Sequence, residues 1–110
     1  MDKKRAFLNI LSKGPRIEFI PHFDERHAMR TNISEKLVED LLLNHEKDLL
    51  FAGDKKGKGG LPRYELYYET SRKKLMVVIV DVDGDCLKVV TAIPQFKKNW
   101  AEAIRDAAGD

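Results

Sequence analysis

A single cysteine in 110 residues, Cys86, excludes an internal disulfide and any multi-cysteine zinc or iron–sulfur site. Long apolar runs are missing too. The longest, residues 75–80, has six members, against the ~20 that a membrane-spanning helix requires. The first five residues lead only into a broken series of apolar positions, so no signal-peptide core is expected and a cytoplasmic location is. Internal repeats and extended low-complexity tracts are also lacking. What remains is one charge-rich domain over residues 1–110, of ordinary length for a single core.

Charge is abundant, at 35% of residues, and it is segregated. Residues 1–30 carry seven Lys/Arg against four Asp/Glu, and residues 54–74 carry seven against three. The stretch between them is acidic, with two Lys/Arg and five Asp/Glu, and residues 75–110 carry four and six. Two basic blocks separated by an acidic one suit a phosphate backbone on one side and a basic partner on the other, or an evenly solvated surface.

Hydrophobic periods predict helices first, then strands. Asp2 can cap a helix that buries Phe7, Leu8 and Leu11 and stops at Gly14 and Pro15. Residues 16–20 alternate as a short strand, residues 22–31 suit a short helix, and Ser34 caps a longer one through about Asn44. In that helix Leu37, Val38, Leu41 and Leu42 form the expected buried stripe. Residues 49–52, 64–70, 75–82 and 86–93 read as strands, with Asp83 and Gly84 at the centre of a type I′ hairpin. Pro94 would then open a last helix through Phe96, Trp100 and Ile104. The expected class is α+β: helices on one face of a mainly antiparallel sheet of four or five strands, closed by a C-terminal helix.

His22, Arg26 and Arg30 recur in the spacing H-x3-R-x3-R. On a helix this lines all three along one face. Two guanidinium groups so placed repel by ~0.2–0.5 kcal/mol, and no carboxylate interrupts the stripe. Negative charge must come from elsewhere. A phosphate, which arginine grips bidentately, is one source; Glu18, Glu65, Glu69 or solvent are others. His27 lies off the stripe. His45 falls at a helix end, where a cation favours the dipole.

Other chemistry-bearing residues have plainer explanations. The loop over residues 54–60, with Arg63 after it, lacks the order of a phosphate-binding P-loop. Beside Tyr64, Tyr67 and Tyr68 it would either follow an RNA strand while a tyrosine stacks on a base, or simply connect two strands. Asp81, Asp83 and Asp85 lack the Gly and Glu positions of a calcium loop, so no metal or other cofactor is expected. Cys86 opens a strand as a buried thiol. The amphipathic first helix would pack on the core or, in an interaction subunit, offer Phe7, Leu8 and Leu11 to a partner.

His22-x3-Arg26-x3-Arg30, then Ile33 and Ser34 opening a Leu/Val helix, then Val89, Val90, Thr91 and Ala92 in a closing strand, resemble the RelE-like and BrnT-like toxin superfamily. The likeness covers about residues 16–97. It is nearest to a branch with an "HA-x2-R-x3-R-x-I-S" opening and a "V-V-T" closing strand. Here Phe23 stands where that branch has Ala, and both Thr31 and Asn32 precede Ile33. The resemblance implies a metal-independent endoribonuclease without cofactor. In such enzymes the ribose 2′-hydroxyl attacks the adjacent phosphorus, leaving a 2′,3′-cyclic phosphate and a free 5′-hydroxyl. It also implies that His22 moves a proton while Arg26 and Arg30 hold the phosphate, with Arg63, Thr91 and Lys97 completing the site. RNA, including ribosome-bound RNA, would be the substrate and an antitoxin protein the partner. A non-catalytic nucleic-acid-binding module or a protein-interaction subunit of the same fold is the alternative.

Overall fold

The apolar periods resolve into two α-helices and five strands among the described residues. The structure is a computed structural model, which describes residues 3–21, 34–56 and 58–96. In chain order the elements are α1 (Lys3–Ser12), β1 (Arg16–Phe19), α2 (Glu35–Asn44), β2 (Leu49–Lys56), β3 (Pro62–Glu69), β4 (Lys74–Asp83) and β5 (Cys86–Phe96). Single 3-10 turns lie at Glu46–Asp48 and Lys58–Gly60. Among the described residues no helix is long and apolar enough to cross a membrane.

The strands form one sheet in the order β1-β5-β4-β3-β2. β2 to β5 make the expected antiparallel meander. β1 runs parallel to β5, from Arg16 beside Cys86 to Phe19 beside Val89, so the sheet is mixed.

Local signals account for the helix ends. Ser34 caps α2 by accepting a hydrogen bond from the Leu37 N–H at 3.1 Å. α1 stops where Gly14 takes φ +67°, its N–H donating to the Leu11 carbonyl at 3.0 Å. Phe7 of α1 and Val38, Leu41 and Leu42 of α2 pack on Leu66, Val78, Val80 and Val89 on one sheet face. Each such side chain contributes ~1.5–3 kcal/mol by leaving water. Phe7 is fully buried, and the partly buried Leu8 and Leu11 pack against the same cluster.

Three expectations are corrected. Leu37 is 45% exposed; Val38, Leu41 and Leu42 alone face the sheet. The β4–β5 turn centres on Gly84 and Asp85, one residue later than expected, because Asp83 pairs with Cys86 and Gly84 supplies the positive φ. Pro94 opens no helix: it lies inside β5, opposite Met76. β1 accompanies β5 only as far as Val89, so among the described strands a proline beyond that point faces an open edge and breaks no ladder bond.

Candidate functional site

A bulge decides where Thr91 points. Across β4 and β5, Ile79 pairs with Thr91 but the next residue, Val80, pairs with Val89, leaving Val90 as an extra residue. In a regular strand Val89 and Thr91 would share a face. The bulge instead keeps Val89 in the core under the helices and turns Thr91, half-buried, to the opposite face beside Ile79. Bulges of this kind re-aim single side chains and are over-represented next to active sites. No sequence signal marks it, since the order V-V-T-A alternates equally well in either register.

The chain reaches the H-x3-R-x3-R segment beside this bulge. The Ile20 N–H donates to the Val89 carbonyl at 3.1 Å, one residue before Pro21. His22, Arg26 and Arg30 themselves lie outside the described residues, as do His27 and Lys97.

Arg63 shares the face of Thr91 but stands two strands away, with β4 between them. Its guanidinium grips Asp81 on the neighbouring strand, Nε to Oδ1 at 2.6 Å and Nη2 to Oδ2 at 3.0 Å. That pairing raises the guanidinium pKa further, so Arg63 is always charged. Arg63, Asp81, Lys88 and Glu18 occupy successive positions in one row across β3, β4, β5 and β1, with charges that alternate in sign. Lys88 Nζ lies 3.0 Å from Asp83 Oδ2, and Arg16 Nη2 lies 3.3 Å from Asp85 Oδ1. Each carboxylate of the Asp81, Asp83 and Asp85 series therefore has a cation of its own. Among the described residues no group of three His, Cys, Asp or Glu is arranged to hold a metal ion.

The same face becomes apolar toward the other end of the sheet, where Tyr67, Leu75 and Val77 are buried with Phe51 and Ile79 beside them. The tyrosines are sheet residues. Tyr64 packs its ring on Phe7 at 5.5 Å, Tyr67 packs on Phe51 at 5.6 Å, and Tyr68 is fully buried. None of the three offers a free ring to a base.

Two clusters escaped the sequence reading. The Cys86 thiol donates to Glu18 Oε2 at 3.2 Å across β5 and β1. His45, the C-cap of α2, has Nδ1 3.0 Å from Asp48 Oδ2 and Nε2 3.0 Å from Asp40 Oδ2. The spacing D-x4-H-x2-D around a helix end is the signal that would have found the second.

These relationships define a small α+β domain: a mixed five-stranded sheet with two helices on one face, and on the other a charge-alternating row beside a bulge. No family model, curated protein or solved structure matches the chain.

Proposed function

We propose that the chain is a toxin-like, metal-independent endoribonuclease. The observation that carries this reading is the bulge that turns Thr91 out of the core beside the point where the chain leaves β1. His22 comes two residues after Ile20 in sequence, an imidazole of the kind that moves protons near neutral pH, and Arg26 and Arg30 follow it. The reaction needs those parts. One group takes the proton from the ribose 2′-hydroxyl as its oxygen bonds to phosphorus, and another returns a proton to the departing 5′-oxygen. Arg26 and Arg30 balance the charge that grows on the phosphorane. Arg63, oriented by Asp81, directs its remaining N–H groups at flanking phosphate. Lys97, next in sequence after β5, completes the set of phosphate-binding cations in this reading.

A C-terminal helix through Trp100 and Ile104 belongs to the same reading. An antitoxin covering the basic surface is the expected protein partner, and the cytoplasm the expected location.

The test is incubation of the purified protein with single-stranded and ribosome-bound RNA in excess EDTA. Products ending in 2′,3′-cyclic phosphate, lost in His22→Ala and Arg26→Ala, are expected. RNA left intact under every condition removes the enzyme. The second reading is a nucleic-acid-binding module without turnover. It predicts salt-dependent binding with no product.

A further inference from the structure

The imidazole of His45 stands between two carboxylates that belong to different elements. Its Nε2 lies 3.0 Å from Asp40 Oδ2, inside α2, and its Nδ1 lies 3.0 Å from Asp48 Oδ2, at the end of the 3-10 turn Glu46–Asp48. The two ring nitrogens diverge, so the three side chains do not close on one cation; they form a bridge and not a chelate. Asn44 donates to Asp40 Oδ1 at 2.7 Å and fixes that end of the bridge to α2 whatever the charge on the ring. The Asp48 end is held less firmly. The turn buries none of its side chains. Its backbone bonds run from the Asp48 N–H to the His45 carbonyl at 2.9 Å and from the Leu49 N–H to the Glu46 carbonyl. A segment with so little burial opens at low free energy.

Leu49, which closes the turn, enters the core and stands opposite Tyr68 in the β2–β3 ladder. Tyr68 is fully buried, and its hydroxyl has no hydrogen-bond partner among the described residues. Burial raises the pKa of that hydroxyl, and Glu46, at the start of the turn, lies near enough to raise it further. The turn therefore sits beside the end of β3 where this hydroxyl is shut away from water. A buried hydroxyl without a partner favours any motion that lets water in. Two opposite pulls meet here: the hydroxyl favours an open turn, and the charged imidazole bridge a closed one.

We propose that the turn Glu46–Asp48 is a proton-operated flap over the Tyr68 hydroxyl, held shut by the His45 imidazolium and released when the ring loses its proton. Only the imidazolium donates to both carboxylates. In the neutral ring one nitrogen turns a lone pair toward an oxygen 3.0 Å away, and the bridge from α2 to Asp48 parts at that link. The titratable groups around the bridge are Asp40 on α2, Glu46, Lys47 and Asp48 on the turn, and Tyr68 and Glu69 at the end of β3. Histidine is the side-chain type among them whose charge ordinarily changes between about pH 5 and 8. Donating to Asp48 first and to Asp40 second raises the His45 pKa above 6.5 in the closed form. Opening thus sets in above about pH 6.5 and levels off once the pH has passed the raised value. The flap is independent of the reaction proposed above, since it uses none of that reaction's residues.

The experiment follows amide hydrogen exchange of the full chain by NMR over a range of pH on both sides of the His45 midpoint. Each rate is divided by that of an unstructured peptide at the same pH, so that base catalysis drops out. Protection at the Asp48 and Leu49 amides is expected to fall about tenfold as the pH rises through the midpoint, the effect of losing one charge-assisted hydrogen bond. The Val78 amide, in a fully buried residue of the middle strand, is expected to keep its protection. His45→Gln should remove the pH step and leave both turn amides at the high-pH protection of the wild type. Asp48→Asn is the second variant should the first fail to fold, and is expected to shrink the step. Tyr68→Phe keeps the ring and deletes the hydroxyl, so both turn amides should exchange more slowly at every pH while the step remains. Protection that is flat with pH in the wild type, or a step that survives in full in either bridge variant, overturns the proposal. So does a parallel loss at Val78, which would mean that the whole domain opens. Unchanged exchange in Tyr68→Phe overturns it as well, because the turn would then not cover the hydroxyl.

Discussion

Arg63 and Asp81 stand directly opposite each other on β3 and β4 and are joined by two hydrogen bonds in a bidentate pair. Asp81 is 7% exposed, so its carboxylate depends on this one guanidinium in place of water. Arg63→Ala would leave a buried charge unpaired, and a loss of about 1–3 kcal/mol is expected. Replacing both partners by apolar residues, Arg63→Met with Asp81→Leu, should recover most of that loss, because the desolvation cost disappears with the charge. Urea denaturation midpoints of the three proteins measure both effects. An unaltered midpoint in Arg63→Ala would show that the pair adds nothing to the fold.

His45 ties the end of α2 to the following turn in a pH-dependent way. Both ring nitrogens lie 3.0 Å from carboxylates, and only the imidazolium can donate to both. Donating hydrogen bonds to Asp48 first and then to Asp40 raises the His45 pKa above its ordinary 6.5. The pKa of Asp40 is lowered, first by the Asn44 side chain, which donates to it at 2.7 Å, and then by His45. A folded-state pKa above the unfolded one means that the histidine's contribution is complete below about pH 6.5. It is lost as pH rises through the raised value. Asp40 has the opposite sign: its contribution is present above its unfolded pKa and is lost as pH falls through the lowered value. The clamp is therefore strongest in mildly acidic solution, between these two limits. Proton NMR titration should place the His45 midpoint above 6.5, and His45→Gln should flatten the stability profile between pH 6 and 8.

Features decided within a few residues were legible in the sequence. The Ser34 cap, the Gly14 stop, the tyrosine-rich run of β3 and the β-branched run of β4 fall where local chemistry puts them, because each depends on contacts one turn or one pleat away. Features decided by pairing were not. Asp83 and Gly84 look like the centre of a hairpin until Asp83 is seen opposite Cys86. Pro94 resembles a helix start until β5 proves to have an open edge there among the described strands. Leu37 belongs to the apolar stripe by spacing, yet it is exposed while Val38, Leu41 and Leu42 are buried. Of the six residues expected at the site, Thr91 and Arg63 share a face, and the pairing of Arg63 with Asp81 required the β3–β4 register. His22, Arg26, Arg30 and Lys97 lie outside the described residues, so their mutual geometry is a matter for the cleavage assay.

Cys86 is 3% exposed, and its thiol donates to Glu18. Burial first, and the neighbouring carboxylate second, push the thiol pKa up. Thiolate is the reactive form, so native protein should react with a disulfide reagent at neutral pH roughly tenfold or more slowly than the unfolded chain. Glu18→Gln removes the carboxylate charge but not the burial, and the labelling rate should rise only modestly. Rapid labelling of the folded wild type would mean that β1 separates readily from β5.

Tyr68 makes the opposite kind of prediction, a substitution that improves the fold. Its ring is fully buried between Leu49 and Met76 in the sheet, and its hydroxyl has no hydrogen-bond partner among the described residues. Burial, with a smaller push from Glu46, raises its pKa well above the ordinary tyrosine value, so the group stays neutral and unpaired. A buried hydroxyl without a partner costs about 1–3 kcal/mol relative to water. Tyr68→Phe keeps the ring and removes that cost, so stability should rise by about 0.5–1 kcal/mol, or several degrees in Tm for a domain of this size. Tyr68→Ala also removes the hydroxyl but empties the ring's volume, and should lose about 3–5 kcal/mol. The two variants separate the hydroxyl from the packing. If Tyr68→Phe instead lowers Tm by several degrees, the hydroxyl must be bonded in solution, and an internal water near Glu46 would be the group to look for.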